Sequence, residues 1–132
     1  VWDTDLCSVR YVLDQPDWVR DLAVSPDGTV FASACKDGIV SLYEFETGKN
    51  VGMINAHIDG TDAVAFSPDG TLLATGGRDG SVKVWELATE NLLVELTGHA
   101  KPVLTVAFNP SGTMLVSGSG DNTLRVWGLS EH

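Results

Sequence analysis

The sequence predicts an all-β protein assembled from repeated antiparallel units, and three observations carry that prediction. A turn motif recurs at Ser25-Pro26-Asp27-Gly28, Ser67-Pro68-Asp69-Gly70 and Asn109-Pro110-Ser111-Gly112, 42 residues apart each time. A second turn follows each copy, at Lys36-Asp37-Gly38, Arg78-Asp79-Gly80 and Gly120-Asp121-Asn122. An aromatic side chain stands at a fixed place after it, at Tyr43, Trp85 and Trp127, again with a spacing of 42. In the first turn Pro presets φ and Gly accepts φ > 0. In the second, Asp-Gly is the signal of a tight hairpin. A fixed period of this size marks stacked supersecondary units, none of which can bury its apolar face alone.

The strands follow in order. Val1-Trp2-Asp3 matches the end of a preceding unit, with Trp2 41 residues before Tyr43. Residues 8–13 (SVRYVL) alternate and read as a strand, followed by 19–24, 30–34 and 39–45 to complete the first unit. The second unit takes 51–54, 63–66, 72–75 and 81–87. The third takes 92–96, 103–108, 114–117 and 123–129. The clearest strand sets Val82, Val84 and Glu86 on one face against Lys83, Trp85 and Leu87 on the other, a period of two. No segment keeps apolar residues at helical spacing without an interrupting turn, so no helix is expected. No Pro/Gly/Ser-rich linker divides the chain. It reads as one domain over 1–132, with repeats at about 4–45, 46–87 and 88–129 and a remnant at 1–3.

Composition narrows the function classes. Apolar residues make up 43% of the chain, enough for a core, and no apolar run approaches the roughly 18 residues of a membrane helix. No signal-peptide pattern is visible at the start. A formal net charge of −10 argues against nucleic acid or an anionic membrane as the main partner, since both require clustered Lys and Arg. The charge reads first as a solubility device. Cys7 and Cys35 are too few for a disulfide framework and read as small apolar residues, which points to an intracellular, cytoplasmic protein.

Gly98-His99 opens the third repeat and Ala56-His57 the second, while Trp85-Glu86, Trp127-Gly128 and the isolated Trp2-Asp3 close repeats. With the Ser-Pro-Asp-Gly turns between them, these residues resemble the WD40 repeat family over essentially the whole chain. The resemblance implies a β-propeller: three four-stranded antiparallel blades, half of a closed ring. Propellers have about 4–8 blades.

The resemblance also implies a buried His, Ser/Thr, Asp and Trp tetrad in each blade. The matching residues are His57, Thr75, Asp79 and Trp85 in the second repeat, and His99, Ser117, Asp121 and Trp127 in the third. The first repeat offers Ser33, Asp37 and Tyr43, with Gln15 where His is expected, so its network is degenerate and that repeat should be the least stable. In the tetrad the indole N–H donates to the hydroxyl, the hydroxyl to His, and His to Asp. A Ser/His/Asp cluster also has the composition of a nucleophilic triad. Recurrence with the repeat, the Trp inside it and the lack of a Gly-x-Ser-x-Gly elbow favour the structural role. Asp59, Asp62 and Asp69 lack metal-ligand spacing. The glycine-rich run 75–80 lacks the Gly-Lys-Ser/Thr of a phosphate loop. Neither metal nor cofactor is expected.

The family resemblance further implies a rigid interaction platform without chemistry of its own. Partners of such proteins usually bind the face bearing the loop after Gly-His and the hairpin of the tetrad Asp. The matching positions are Trp18, Arg20 and Lys36, then Asp62 and Arg78, then Lys101, Pro102 and Leu104. Trp18, in the place of Gly60 and Pro102, is the strongest anchor candidate, against the alternative of packing on its neighbouring loop. Arg20, Lys36 and Arg78 either form a solvated rim or receive an acidic or phosphorylated peptide.

Three blades leave two raw ends. The expected closure is a head-to-tail homodimer forming a six-bladed ring, in which strand 8–13 completes a partner's last blade. The rival is a fragment completed by other blades, which the remnant Val1-Trp2-Asp3 favours. The expected function is a protein or peptide interaction scaffold. A self-assembling or sensor segment of a larger signalling protein is the alternative, and a propeller hydrolase a remote one.

Overall fold

Eleven antiparallel strands form three sheets in the computed structural model, which describes residues 10–129. Sheet one orders β1 (Val19–Val24), β2 (Val30–Cys35), β3 (Ile39–Glu44) and β4 (Asn50–Asn55) side by side. Sheet two repeats this with β5 (Thr61–Phe66), β6 (Leu72–Gly77), β7 (Val82–Glu86) and β8 (Asn91–Leu96). Sheet three holds β9 (Val103–Phe108), β10 (Met114–Ser119) and β11 (Leu124–Gly128). Each is an up-and-down meander, and the sheets are blades set one behind another. Their inner strands β1, β5 and β9 stand next to each other.

Two expectations are corrected. The described third blade has three strands rather than four. Sequence repeat and sheet are also offset by one strand. Residues 51–54 and 92–96, expected to open the second and third units, instead pair with the strands before them, β3 and β7. The reason is loop length: a short turn around Gly48 (φ 74) connects β3 to β4, so pairing backwards closes a small loop. Of the expected strand 8–13, positions 8 and 9 lie outside the described residues, as do Val1-Trp2-Asp3 and Cys7, and 10–13 carry no strand pairing. Tyr11 instead donates its hydroxyl to the Phe45 carbonyl (2.7 Å).

The Ser-Pro-Asp-Gly turns are locked by their own side chains. Ser25 Oγ donates to Asp27 Oδ1 (2.7 Å), which also takes the N–H (3.0 Å) and hydroxyl (2.8 Å) of Thr29. Asp69 does the same with Ser67 and Thr71. Hydrogen bonds from Ser25 and Ser67 in first place lower both carboxyls to about 2.

The core is a set of layers between blades. Ala32, Ala34, Val40 and Leu42 of blade 1 receive Val64, Leu73 and Trp85 of blade 2. Ala74, Val82 and Val84 of blade 2 receive Val106 and Leu115 of blade 3, 42 residues on in each case. Small residues on one side admit large ones from the other, and each fully buried Val or Leu contributes about 1.5–3 kcal/mol. The hairpin of each blade also rests on the loop of the next. Gly38 (φ 92) abuts the carbonyl of His57, and Gly80 (φ 82) that of His99, so no side chain fits at either. The Gly38 carbonyl takes the Ala56 N–H (3.0 Å) and the Thr61 hydroxyl (2.9 Å) across the junction. The third member of this set is Asn122 (φ 70).

Candidate functional site

The loop end of the arc is organised by the polar networks beneath it. In blade 2, Trp85 Nε1 donates to Thr75 Oγ1 (3.0 Å), and Thr75 Oγ1 lies 3.0 Å from His57 Nε2. His57 Nδ1 faces Asp79 Oδ1 at 3.3 Å. With the indole donating to it, the Thr75 hydroxyl has its proton available for Nε2, which leaves Nδ1–H to point at Asp79. Burial lowers the His57 pKa below 6.5, outweighing the opposing charge of Asp79, and keeps the ring neutral. Burial raises the Asp79 pKa, but hydrogen bonds from the Ser81 hydroxyl and N–H, with His57 beside it, more than reverse this and leave it lowered. Blade 3 repeats the arrangement: Trp127 Nε1 to Ser117 Oγ (2.9 Å), Ser117 Oγ to His99 Nε2 (2.8 Å) and His99 Nδ1 to Asp121 Oδ2 (3.2 Å).

Blade 1 does not bring its expected set together. Gln15 Nε2 donates to the Tyr43 hydroxyl (2.9 Å), and Ser33 Oγ reaches Gln15 Oε1 only at 3.4 Å. Asp37 stands apart and accepts the Ile39 N–H (3.0 Å). The physical reason is reach. A Gln amide in place of imidazole spans Ser33 and Tyr43 and leaves nothing to extend to the hairpin carboxylate.

Two further network positions were not picked out from the sequence. Ser81 and Thr123 donate their hydroxyls to Asp79 and Asp121 and touch the His Nδ1 atoms at 3.3 Å. Lys83 Nζ caps the Ala56 carbonyl (2.7 Å), and Arg125 Nη2 caps that of Gly98 (2.9 Å). The 42-residue spacing could have found both pairs; blade 1 has Ile39 and Ser41 there.

These networks tie each Asp-bearing hairpin to the loop that follows the preceding blade, and so position the exposed rim. The backbone contact is the same three times: Lys36 N–H to the Trp18 carbonyl (2.9 Å), Arg78 to Gly60 (3.0 Å) and Gly120 to Pro102 (3.1 Å). Trp18 is 67% exposed. Lys36 Nζ lies 4.9 Å from its ring centroid and the Arg20 guanidinium 5.6 Å. Arg78 runs its stem over Gly60, where blade 1 has the indole.

Arg20, Asp62 and Leu104 occupy equivalent positions. Each is the extra residue of a β-bulge near the start of its inner strand, a device that re-aims a side chain. With Arg78 they line a depression of about 210 Å³. Asp62 is buried rather than exposed, with Arg20 Nε 3.5 Å from Oδ1 and Arg78 Nε 3.6 Å from Oδ2. Lys101 is exposed, Pro102 half-buried and Leu104 56% exposed. The Lys101 and Pro102 carbonyls both accept the Ser119 hydroxyl (2.9 Å). The basic character of the rim therefore concentrates over blades 1 and 2. Among the described residues no helix is long and apolar enough to cross a membrane, and no three His, Cys, Asp or Glu side chains gather as a metal site.

The WD40 family profile, described as WD domain, G-beta repeat, matches residues 7–44, 48–86 and 90–128. No curated protein matches the chain. Three matched repeats, spread over three antiparallel blades from which they are offset by one strand, mean that the chain belongs to the WD40 family, whose repeats generally serve as protein-interaction scaffolds and are typically non-enzymatic.

Proposed function

We propose that this chain is a non-catalytic protein–protein interaction scaffold that meets its partner through the loop end over blades 1 and 2. The observation that carries the reading is Trp18, an indole largely in solvent and flanked by Arg20 and Lys36. Exposed Trp and Arg are the commonest anchors of protein interfaces. The non-catalytic part is supported by the hydroxyls of Thr75 and Ser117, which are fully buried beneath indole and imidazole where no substrate carbonyl can approach. A random peptide display screen against the protein tests the reading. Recovered peptides should lose about tenfold or more in affinity on Trp18→Ala with an unchanged melting temperature. Binders indifferent to Trp18→Ala, or none at all, would overturn it.

The arc is completed, on this reading, by a second copy head to tail. The faces at its two ends support this. Leu22, Val24 and Phe31 of blade 1 are the equivalents of Val64, Phe66 and Leu73, which blade 2 buries against blade 1. Leu124 and Val126 of blade 3 are the equivalents of Val40 and Leu42, which blade 1 buries against blade 2. Each end therefore offers half of an interface that the chain already builds twice, and Leu124 is 76% exposed. A solution mass of twice the 14.0 kDa of one chain, persisting on dilution, is the expected result. A mass of one chain would assign the same faces to blades from elsewhere.

A further inference from the structure

We propose that Arg20, Asp62 and Arg78 form a receptor for an acidic residue of an extended peptide, taking its side-chain oxyanion on the two guanidinium groups and its backbone N–H on Asp62. The inference rests on the interaction reading above and names the ligand chemistry of that rim.

The starting point is an unmet requirement. The Asp62 side chain is only 5% exposed, yet among the described residues neither carboxylate oxygen receives a hydrogen bond. A buried carboxylate is retained only with charge partners and donors. The charge partners are there, but both contacts run through Nε at 3.5 and 3.6 Å, long for hydrogen bonds. The carboxylate faces a depression floored by these three side chains and Leu104. It lacks a donor from outside.

The arginines lack the opposite partner. Each guanidinium carries five N–H donors in a fixed fork. Asp62 takes the Nε side of both, and no hydrogen bond among the described residues uses their Nη atoms. Arg20 is steadied on its other flank by the Trp18 ring. Arg78 is steadied by the Gly60 backbone beneath its stem. Two cations and one anion leave the cluster net positive on a chain of net charge −10, so an incoming oxyanion is drawn to this spot. An oxyanion alone would leave Asp62 without its donor, and an ammonium group would meet the arginines. An acidic residue within a peptide carries both complements a few ångströms apart, and Trp18 and Leu104 offer apolar walls for its neighbours. The oxyanion is a carboxylate or a phosphate; both suit a bidentate fork.

The test uses the intact chain and three capped pentapeptides, Gly-Leu-X-Leu-Gly, with X as Glu, phosphoserine or Gln. Titrations are read by NMR on the arginine Nε–H signals, which report weak binding residue by residue. The Glu and phosphoserine peptides should move the Arg20 and Arg78 signals and bind about tenfold or more tightly than the Gln peptide. A further tenfold for phosphoserine over Glu identifies phosphate, and parity identifies carboxylate. Arg78→Gln, at an exposed position, should erase the preference while the backbone amide signals away from the cluster stay in place. Equal affinity for the three peptides, no binding, or binding that leaves Arg20 and Arg78 unmoved would overturn the proposal. Display peptides that need Trp18 but contain no acidic residue would end this inference while leaving the interaction scaffold standing.

Discussion

Blades 1 and 2 are built on the same positions and solve the same problem differently. In blade 2 the chain Trp85, Thr75, His57, Asp79 runs from the core to the hairpin, with Ser81 and Lys83 closing the remaining polar groups. In blade 1 all four of the equivalents that matter have changed together: Gln15 for His, Tyr43 for Trp, Ile39 for Ser and Ser41 for Lys. In blade 2 the Ser81 hydroxyl serves both Asp79 and the His57 ring, and a buried half-network costs more than none. The members therefore change as a set. Blade 1 also has an open face. Leu22 is 60% exposed where its counterpart Val64 is 4%. Stability in this molecule comes from neighbours as much as from the blade itself.

The largest effect should follow from truncating the same layer in both blades. Leu73 is fully buried between blades 1 and 2, and Leu73→Ala should cost about 2–5 kcal/mol in urea unfolding. Phe31 occupies the equivalent place at the open end, where it stacks on Tyr43 and meets Phe45 edge-on. At a dilution where the chain is a single copy, Phe31→Ala should cost less than Leu73→Ala, although Phe is the larger side chain. At concentrations where a second copy docks on that face, the Phe31→Ala cost should rise towards that of Leu73→Ala; the reverse order in the single copy would mean that the face is covered within the chain itself.

A smaller effect should come from giving blade 2 the glutamine of blade 1. His57→Gln should cost about 1–3 kcal/mol at neutral pH, the usual loss when a buried polar chain is broken. It should also alter the pH response. Burial holds the His57 pKa below 6.5 in the folded state, so the unfolded chain takes up the proton first. The stability from neutral His57 is fully present above pH 6.5 and falls as the pH drops below it. The melting temperature of the parent should therefore decline between pH 7.5 and 5.5, and that of His57→Gln should decline less. Parallel curves would mean that His57 does not carry the slope. Hydrogen exchange at a dilution that keeps the chain a single copy offers a check without mutation: amides of β1 and β2 should exchange faster than those of β5 and β6.

The contrast also separates what the sequence revealed from what it concealed. The turns, the strand positions and the degeneracy at Gln15 and Tyr43 were legible because a 42-residue period compares each position with two others. Sheet membership was not, because the repeat is the same whether strand 50–55 joins the blade before or after it; only the short turn at Gly48 decides. The rim was legible as a list of positions and not as a cluster. Arg20 and Arg78 read as free cations until the bulge at Asp62 turned a carboxylate between them. That placement depends on two sheets meeting, which no single segment encodes.

The smallest effect is the most pointed for the comparison. Gln15→Ala removes the bridge between Ser33 and Tyr43. One of its bonds is 3.4 Å long and both are only part-buried, so water can replace what is lost. The cost should be at most about 1 kcal/mol, near the lower range for a hydrogen bond, and exchange should rise in blade 1 alone. Thr75→Ala in blade 2 strips the acceptor from Trp85 and the partner from His57 at once, both deep in the core, and should cost more. Equal losses for the two variants would mean that the glutamine bridge is as strong as the imidazole chain. Blade 1 would then differ from blade 2 only in its uncovered face, and covering that face should make the two blades equally protected from exchange.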